Sequence, residues 1–288
     1  MEIRHIAVRN GRLSSFLKEE LGLSTGLMNR LKWAQKLYVN GVPRHADFSV
    51  SVGDEIVAVL DDPTPQYPVQ QGNITVLYED EHLLCVDKPA GMLIHPSRAV
   101  NTGTLANYVL GYYESTGQSC AFHPVTRLDR DTFGVVLLAK NAHIHRLLNG
   151  LHSAGKLQKT YEALVFGIPC PAEGTIDAPI ARLPLPSLLR KVDPAGKPSL
   201  TKYAVTERFS NYCRVQLTPV TGRTHQLRVH MAHIGHPILG DPQYGSEETL
   251  ELSEILGIYT QALCAKQLDF THPVTGIPIT ICTKLSVL

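Results

Sequence analysis

Apolar side chains recur at helical spacing near the start of the chain. Leu13, Phe16, Leu17, Leu21 and Leu23 form one stripe, and Leu27, Leu31 and Trp33 suggest a second short helix. The period then changes. Leu37 and Val39 alternate up to an Asn40-Gly41 turn, and Gly53-Asp54 precedes an apolar strand at Ile56–Leu60. Two helices followed by a small ribbon predict a compact module over residues 1–60. The stretch DDPTPQYPVQQG, 61–72, holds three prolines and almost no large apolar side chain, which predicts an extended linker.

From 73 to 288 short strands are interspersed with helices. ITVLYED and HLLCVDKP read as two strands joined by an acidic turn. Asn141 can cap a helix over Asn141–Leu151, whose stripe is Ile144, Leu147, Leu148 and Leu151. Strands are predicted at Val135–Ala139, at Lys159–Gly167, near 201–207 and near 212–219. A helix is predicted from Thr224 to Ile234, ended by Gly235 and Pro237. Strands outnumber helices and do not alternate with them regularly, so the fold class is α+β rather than doubly wound α/β.

Composition narrows the class of protein. With 43% hydrophobic and 18% charged residues, the chain can bury a core. No apolar run approaches the roughly 18 to 20 residues that cross a bilayer, and the N-terminus does not read as a secretory leader. A cytoplasmic protein without a membrane partner is expected. The six cysteines stand far apart with no C-x-x-C pair, which suggests neither a zinc cage nor a disulfide framework. The net charge of +1 conceals a strong bias, because residues 121–230 hold 15 Lys/Arg against 7 Asp/Glu. A basic middle third suits an anionic partner.

The segment HPVTRLDRDTFGVVLLAKN, 123–141, is the sharpest chemical signal. A polar block, Thr126–Thr132, runs into an apolar strand, and Asp129 stands between Arg127 and Arg130, which favour its charged form. A carboxylate at a strand entry suits nucleophilic or base chemistry at a sugar carbon; it also suits an ordinary surface ion pair. The histidines at 225, 230, 233 and 236 put at most two on one helical face and lack a completing carboxylate or cysteine, so no metal site is expected there.

Arg127-Leu128-Asp129 with Asp131-Thr132 and Gly134 resembles the R-L-D-x-x-T-x-G signature of the RluA-type pseudouridine synthases. VDKPAGMLIHP (86–96), KTYEALVFG (159–167) and TPVTGRTHQLRVHMAHIGHPILGDPQYG (218–245) agree with further blocks of that family in order and spacing, and QALCAKQLDFTHPVTG (261–276) resembles its closing strand. Residues 11–60 resemble an S4-type RNA-binding module. The resemblance implies a mixed, mainly antiparallel catalytic sheet and isomerisation of uridine to pseudouridine in ribosomal or transfer RNA, without metal or cofactor and with no obligatory protein partner. It assigns Asp129 as the essential carboxylate, Tyr161 as the base-stacking tyrosine and candidate for the final proton transfer, and Arg223 as the partner of Asp129. Leu227 matches an apolar position against the base. Arg127, Thr132, Lys159, His225, Arg228 and Lys88 are expected around the substrate, although Lys88 could serve only to shape the pocket rim. Arg12, Arg30, Lys32 and Lys36 are expected to contact RNA from the N-terminal module. Thr126, Phe133 and Cys264 depart from the residues most frequent at those places. The basic stretch would hold phosphates around a nucleotide flipped out of its stack.

Two other classes fit parts of this pattern. A glycoside hydrolase needs a second carboxylate, for which Asp131, Glu162 and Asp241 are available. A non-catalytic RNA-binding protein would use the basic stretch and leave the other residues idle.

Overall fold

The computed structural model describes residues 2–60, 67–97 and 99–287, and the chain divides into two compact units, 1–64 and 65–288. The first half of the expected linker, 61–66, lies outside the described residues.

In the first unit the stripe of Leu13, Phe16 and Leu17 is buried by helix α1 (Leu13–Glu19), and Leu31 by helix α2 (Thr25–Trp33), which Ser24 caps through its hydroxyl. The predicted first helix stops at Glu19. Leu23 still reaches the core, but from the turn that follows. A four-stranded sheet backs the helices in the order Glu2–Ile6, Glu55–Val59, Leu37–Val39, Val42–Pro43. Trp33, counted in the second stripe, is 83% exposed.

The second unit is built on a ten-stranded mixed sheet. Its main path runs Glu173–Asp177, Leu200–Arg208, Tyr212–Pro219, Leu157–Phe166, Leu263–Thr271, Phe133–Ala139, Leu83–Lys88, Thr75–Glu79. Every pairing along it is antiparallel except one. Phe133–Ala139 meets Leu263–Thr271 in parallel over just Phe133↔Cys264 and Gly134↔Ala265. At that contact Gly134 has φ +106°, and a Cβ there would stand 2.4 Å from the Ala265 carbonyl oxygen. Only glycine allows the two strands to approach, and the polar block 126–132 is thereby fixed at the middle of the sheet.

Helix α3 (Leu105–Ser115) and helix α5 (Gln226–His233) each cover one apolar patch of the sheet, through Leu105, Val109, Leu110 and Tyr113 and through Leu227 and Met231. Helix α4 (Ala142–Ser153) is capped by Asn141, which accepts from the N–H groups of His143 and Ile144. Helix α6 (Glu247–Ile255) completes the set. Neither α3 nor α6 was expected from the sequence.

Residues 67–72 are not a free linker. Asn107 donates to the Pro68 carbonyl at 2.8 Å, Gln70 N–H donates to the Asn107 carbonyl at 3.1 Å, and Gly103 N–H donates to the Gln70 side chain at 2.7 Å. The segment crosses α3 at Gly111, where a Cβ would lie 2.1 Å from the Gln70 carbonyl oxygen. Hydrogen bonds to the helix, invisible in its composition, hold this stretch in the second unit.

Candidate active site

The loop Thr126–Thr132 is pinned from three directions. The Thr126 hydroxyl accepts the Leu137 N–H at 2.9 Å, so the threonine at this place serves the turn itself. Thr132 is buried, and its hydroxyl takes a hydrogen bond from the Gln261 amide. Lys88 is fully buried. Its ammonium donates to the carbonyls of Pro89 at 2.8 Å, Met92 at 2.9 Å and Arg130 at 2.8 Å. Burial pushes this amine down to about 8, against the opposing pull of Asp131 and Asp129. Lys88 and Thr132, expected around the substrate, are instead both buried. They hold the backbone on either side of Asp129.

Asp129 remains partly exposed, with 28% of its side chain accessible, and among the described residues meets a single guanidinium: Arg228 Nη1 donates to Oδ2 at 3.2 Å. The arginines beside it in sequence turn elsewhere. Arg130 pairs with Asp131 at 3.1 Å, and Arg127 is exposed. Arg223, expected to be the partner, is not. It lies in the turn before α5, where its N–H donates to the Gln226 side chain at 2.9 Å and its Nε to the Pro198 carbonyl at 3.1 Å. The reason is local. His225 takes a left-handed conformation, φ +58°, so the helix begins at Gln226 rather than at Thr224, and Arg228 in its first turn is the arginine turned toward Asp129.

Arg228 is itself held. Fully buried Asp241 accepts from Nε at 2.6 Å and from Nη2 at 2.7 Å, a bidentate pair, and Gln243 accepts from Nη2 at 2.7 Å. The guanidinium lies 4.9 Å from the centre of the Tyr244 ring. Asp241 also accepts the N–H groups of Gln243 at 3.0 Å and Tyr244 at 3.3 Å, so the turn that presents these residues closes on the same carboxylate. His225 Nδ1 is 2.7 Å from the Tyr244 hydroxyl, which accepts the Arg190 N–H at 2.9 Å. Asp241, Gln243 and Tyr244 form the receptor for Arg228. In the sequence these three residues carry only the signal of the DPQY turn, and Asp241, a candidate second carboxylate for a hydrolase, is instead the seat of Arg228.

Tyr161 lies in the core cluster with Leu227, Ala265 and half-buried Leu128. Burial first, then the charge of Asp129 and Cys264, pushes its phenol well above the usual tyrosine range. Its hydroxyl makes no hydrogen bond among the described residues. Two residues away, as the period of a strand requires, Lys159 Nζ sits 3.1 Å from His152 Nε2. Burial and the charge of Arg127 push Lys159 down to about 8. The loop, the aromatic wall and Arg228 thus come together, with Arg127 and Lys159 as cations beside them.

The carboxylates a hydrolase would need as a second group are otherwise engaged. Asp131 pairs with Arg130, Glu162 pairs with Arg214 at 3.1 Å, and Asp241 is sealed behind Arg228. His230, one of the four clustered histidines, is buried and spans Thr201 Oγ1 and the Ala178 carbonyl, each at 2.9 Å.

Residues 82–233 match the model of the family described as RNA pseudouridylate synthase. An uncharacterized RNA pseudouridine synthase of Bacillus subtilis, YjbO, is 36% identical over 267 residues, 89% of this chain and 89% of that protein. The ribosomal large subunit pseudouridine synthase D of Pseudomonas aeruginosa is 36% identical over 84% of this chain and 78% of its own length. Among solved structures, human RNA pseudouridylate synthase domain containing 1 superposes with a TM-score of 0.62 at 26% identity, covering 76% of this chain and 86% of that one. No helix among the described residues is long and apolar enough to cross a membrane.

Proposed function

The chain belongs to the RNA pseudouridylate synthase family, and we propose that Asp129 is the carboxylate with which it isomerises uridine to pseudouridine. RNA of the large ribosomal subunit, in the cytoplasm, is its substrate on this proposal. The observation that carries the assignment of Asp129 is its position: a partly exposed carboxylate on a pinned loop, opposite a guanidinium that is itself locked by a buried carboxylate.

The reaction breaks the N1–C1′ bond, turns the freed uracil and joins C5 to C1′, with no net change of oxidation state. Both routes open to a carboxylate, attack at C1′ and removal of the C2′ hydrogen, need it aimed at the ribose, and Arg228 aims it. Tyr161 and Leu227 supply the apolar wall against which the uracil stacks. Tyr161 enters as a neutral phenol, so it can accept the C5 hydrogen only after losing its own proton. Asp129 opposes that loss while it carries charge. C5 must join C1′ before its proton leaves, and that bond releases Asp129 again as a free carboxylate, so the opposition persists at the stage where the C5 proton leaves. Arg127 and Lys159 bind phosphates beside the extracted nucleotide, and His225 and Leu227 frame the base.

The choice of large-subunit RNA is supported by relatives at 36 to 39% identity named ribosomal large subunit pseudouridine synthase D. The first unit, on this reading, is an S4-type module that contacts RNA through Arg12, Arg30, Lys32 and Lys36; the first three are exposed and Lys36 is half-buried.

The test uses RNA tritiated at uracil C5, taken from cells that lack the protein. Tritium release by the native chain and none by Asp129→Asn is expected, with the new pseudouridine mapping to large-subunit RNA. Release by Asp129→Asn at the native rate would move the chemistry to another group. Product confined to transfer RNA would overturn the substrate.

A further inference from the structure

Trp33 is the one tryptophan of the chain, and it is 83% exposed. A large aromatic ring left in water at the end of a helix, when Leu27, Met28 and Leu31 of the same helix face the core, is not spare core material. Its placement is built. The last turn of α2 closes with Ala34 N–H donating to the Arg30 carbonyl at 3.0 Å and Lys36 N–H donating to the Leu31 carbonyl at 2.9 Å, around Gln35 at φ +55°. This left-handed end swings the chain into the strand Leu37–Val39 and leaves Trp33 on the outside.

Its neighbours along the chain are cationic. From Leu21 to Ala46 the sequence carries Arg30, Lys32, Lys36 and Arg44 and no aspartate or glutamate. The acidic residues of the first unit lie outside this stretch, and several are spent on other arginines: Arg4 pairs with Glu2 and Glu55, and Arg9 with Glu19 and Glu20. Arg30, Lys32 and Arg44 have no carboxylate partner among the described residues. Lys32 Nζ approaches the Trp33 ring to 6.0 Å from its centre, and the Arg44 guanidinium stacks on Phe48 at 4.4 Å.

An exposed ring beside Arg30, one helical turn away, and Lys32, neither with a carboxylate partner among the described residues, matches a single-stranded nucleic acid, which offers a flat base and a phosphate together. We propose that Trp33 is a stacking platform for an unpaired base of the RNA, with Arg30 and Lys32 holding the adjoining phosphates. The proposal rests on the reading that the first unit contacts RNA, and adds to it a stacking ring and that the strand there is unpaired. A duplex buries its bases and would meet this face through phosphates alone.

Because the chain has one tryptophan, its emission reports this site alone. The full-length protein is titrated with a twelve-nucleotide single-stranded RNA of mixed sequence, fluorescently labelled so that anisotropy reports binding independently of tryptophan. Saturable quenching of Trp33 is expected with the single strand and not with the same sequence as a duplex. Trp33→Leu should weaken binding about tenfold, with Trp33→Phe in between. Both variants change an exposed side chain and should keep the native melting temperature. Unchanged Trp33 emission while anisotropy registers binding would overturn the platform. Sedimentation showing that Trp33→Leu abolishes self-association while RNA affinity stays native would also overturn it, assigning the face to a second copy of the chain. A paired variant, Arg30→Ala with Lys32→Ala, separates the two levels. If it weakens binding and Trp33→Leu does not, stacking alone fails; if neither weakens it, the first unit is not the RNA contact.

Discussion

Arg228 and Arg223 belong to one stretch of sequence, yet their substitution should have unlike effects. Lysine at 228 keeps the charge and loses the fork, so it cannot hold Asp241 through two bonds and still present a donor to Asp129. Arg228→Lys should lower kcat about 100-fold through misplacement of the carboxylate, whereas Arg223→Ala should leave kcat within about twofold. Single-turnover rates on large-subunit RNA check the pair, and a loss at Arg223 equal to that at Arg228 would refute the assignment. Lys159 sets a pH dependence. Its folded-state value of about 8 lies below the 10.5 of a free lysine, so it is charged at pH 7 and mostly neutral at pH 9. KM for RNA should rise several-fold between those values and stay flat in Lys159→Arg, which keeps its charge. Unfolding does not produce the same trend. A lysine with a lowered folded-state value binds fewer protons folded than unfolded between 8 and 10.5, and its contribution to stability grows as pH rises through that window. Asp129 and Tyr161 come from motifs that resemble the family's in order and spacing, and the fold brings their segments together. The choice of arginine was not legible, because a left-handed residue at 225 resets the helical frame, and nothing in a histidine announces positive φ.

At the scale of elements, two helical glycines give opposite expectations. Gly111 in α3 lies against the Gln70 carbonyl, so Gly111→Ala must push residues 67–72 away and should cost about 1–3 kcal/mol. Gly150 in α4 has nothing within 4 Å of a new Cβ, so Gly150→Ala should add about 0.5–1 kcal/mol. Urea denaturation measures both, and equal signs would refute the account of α3. The α4 helix was readable from its Asn141 cap and four-residue stripe. The α3 helix was not. Its sequence, LANYVLGYYES, mixes aromatic and β-branched residues with a glycine, and its capping box uses Asn107 where glutamate or glutamine is usual. The α6 helix does carry local signals, the Ser246 cap and the acidic first turn of Glu247 and Glu248.

For the whole molecule, composition gave a globular chain with a basic middle third, and the proline-rich stretch at 61–72 falls at the division into two units. Strand order lay beyond reach, because the pairing of Leu263–Thr271 with both Leu157–Phe166 and Phe133–Ala139 spans long separations that no local pattern encodes. That arrangement has a consequence for the order of assembly. A polypeptide is made from its N-terminus, so Asp129, Tyr161 and Arg228 all exist before Leu263–Thr271 has been synthesised. Until that strand inserts, Phe133–Ala139 and Leu157–Phe166 each lack the neighbour that lies between them, and the glycine contact that seats the Asp129 loop has no partner. The enzyme therefore cannot act while these late residues are still being translated. Its first encounter with RNA as a catalyst comes only after the central strand closes the sheet.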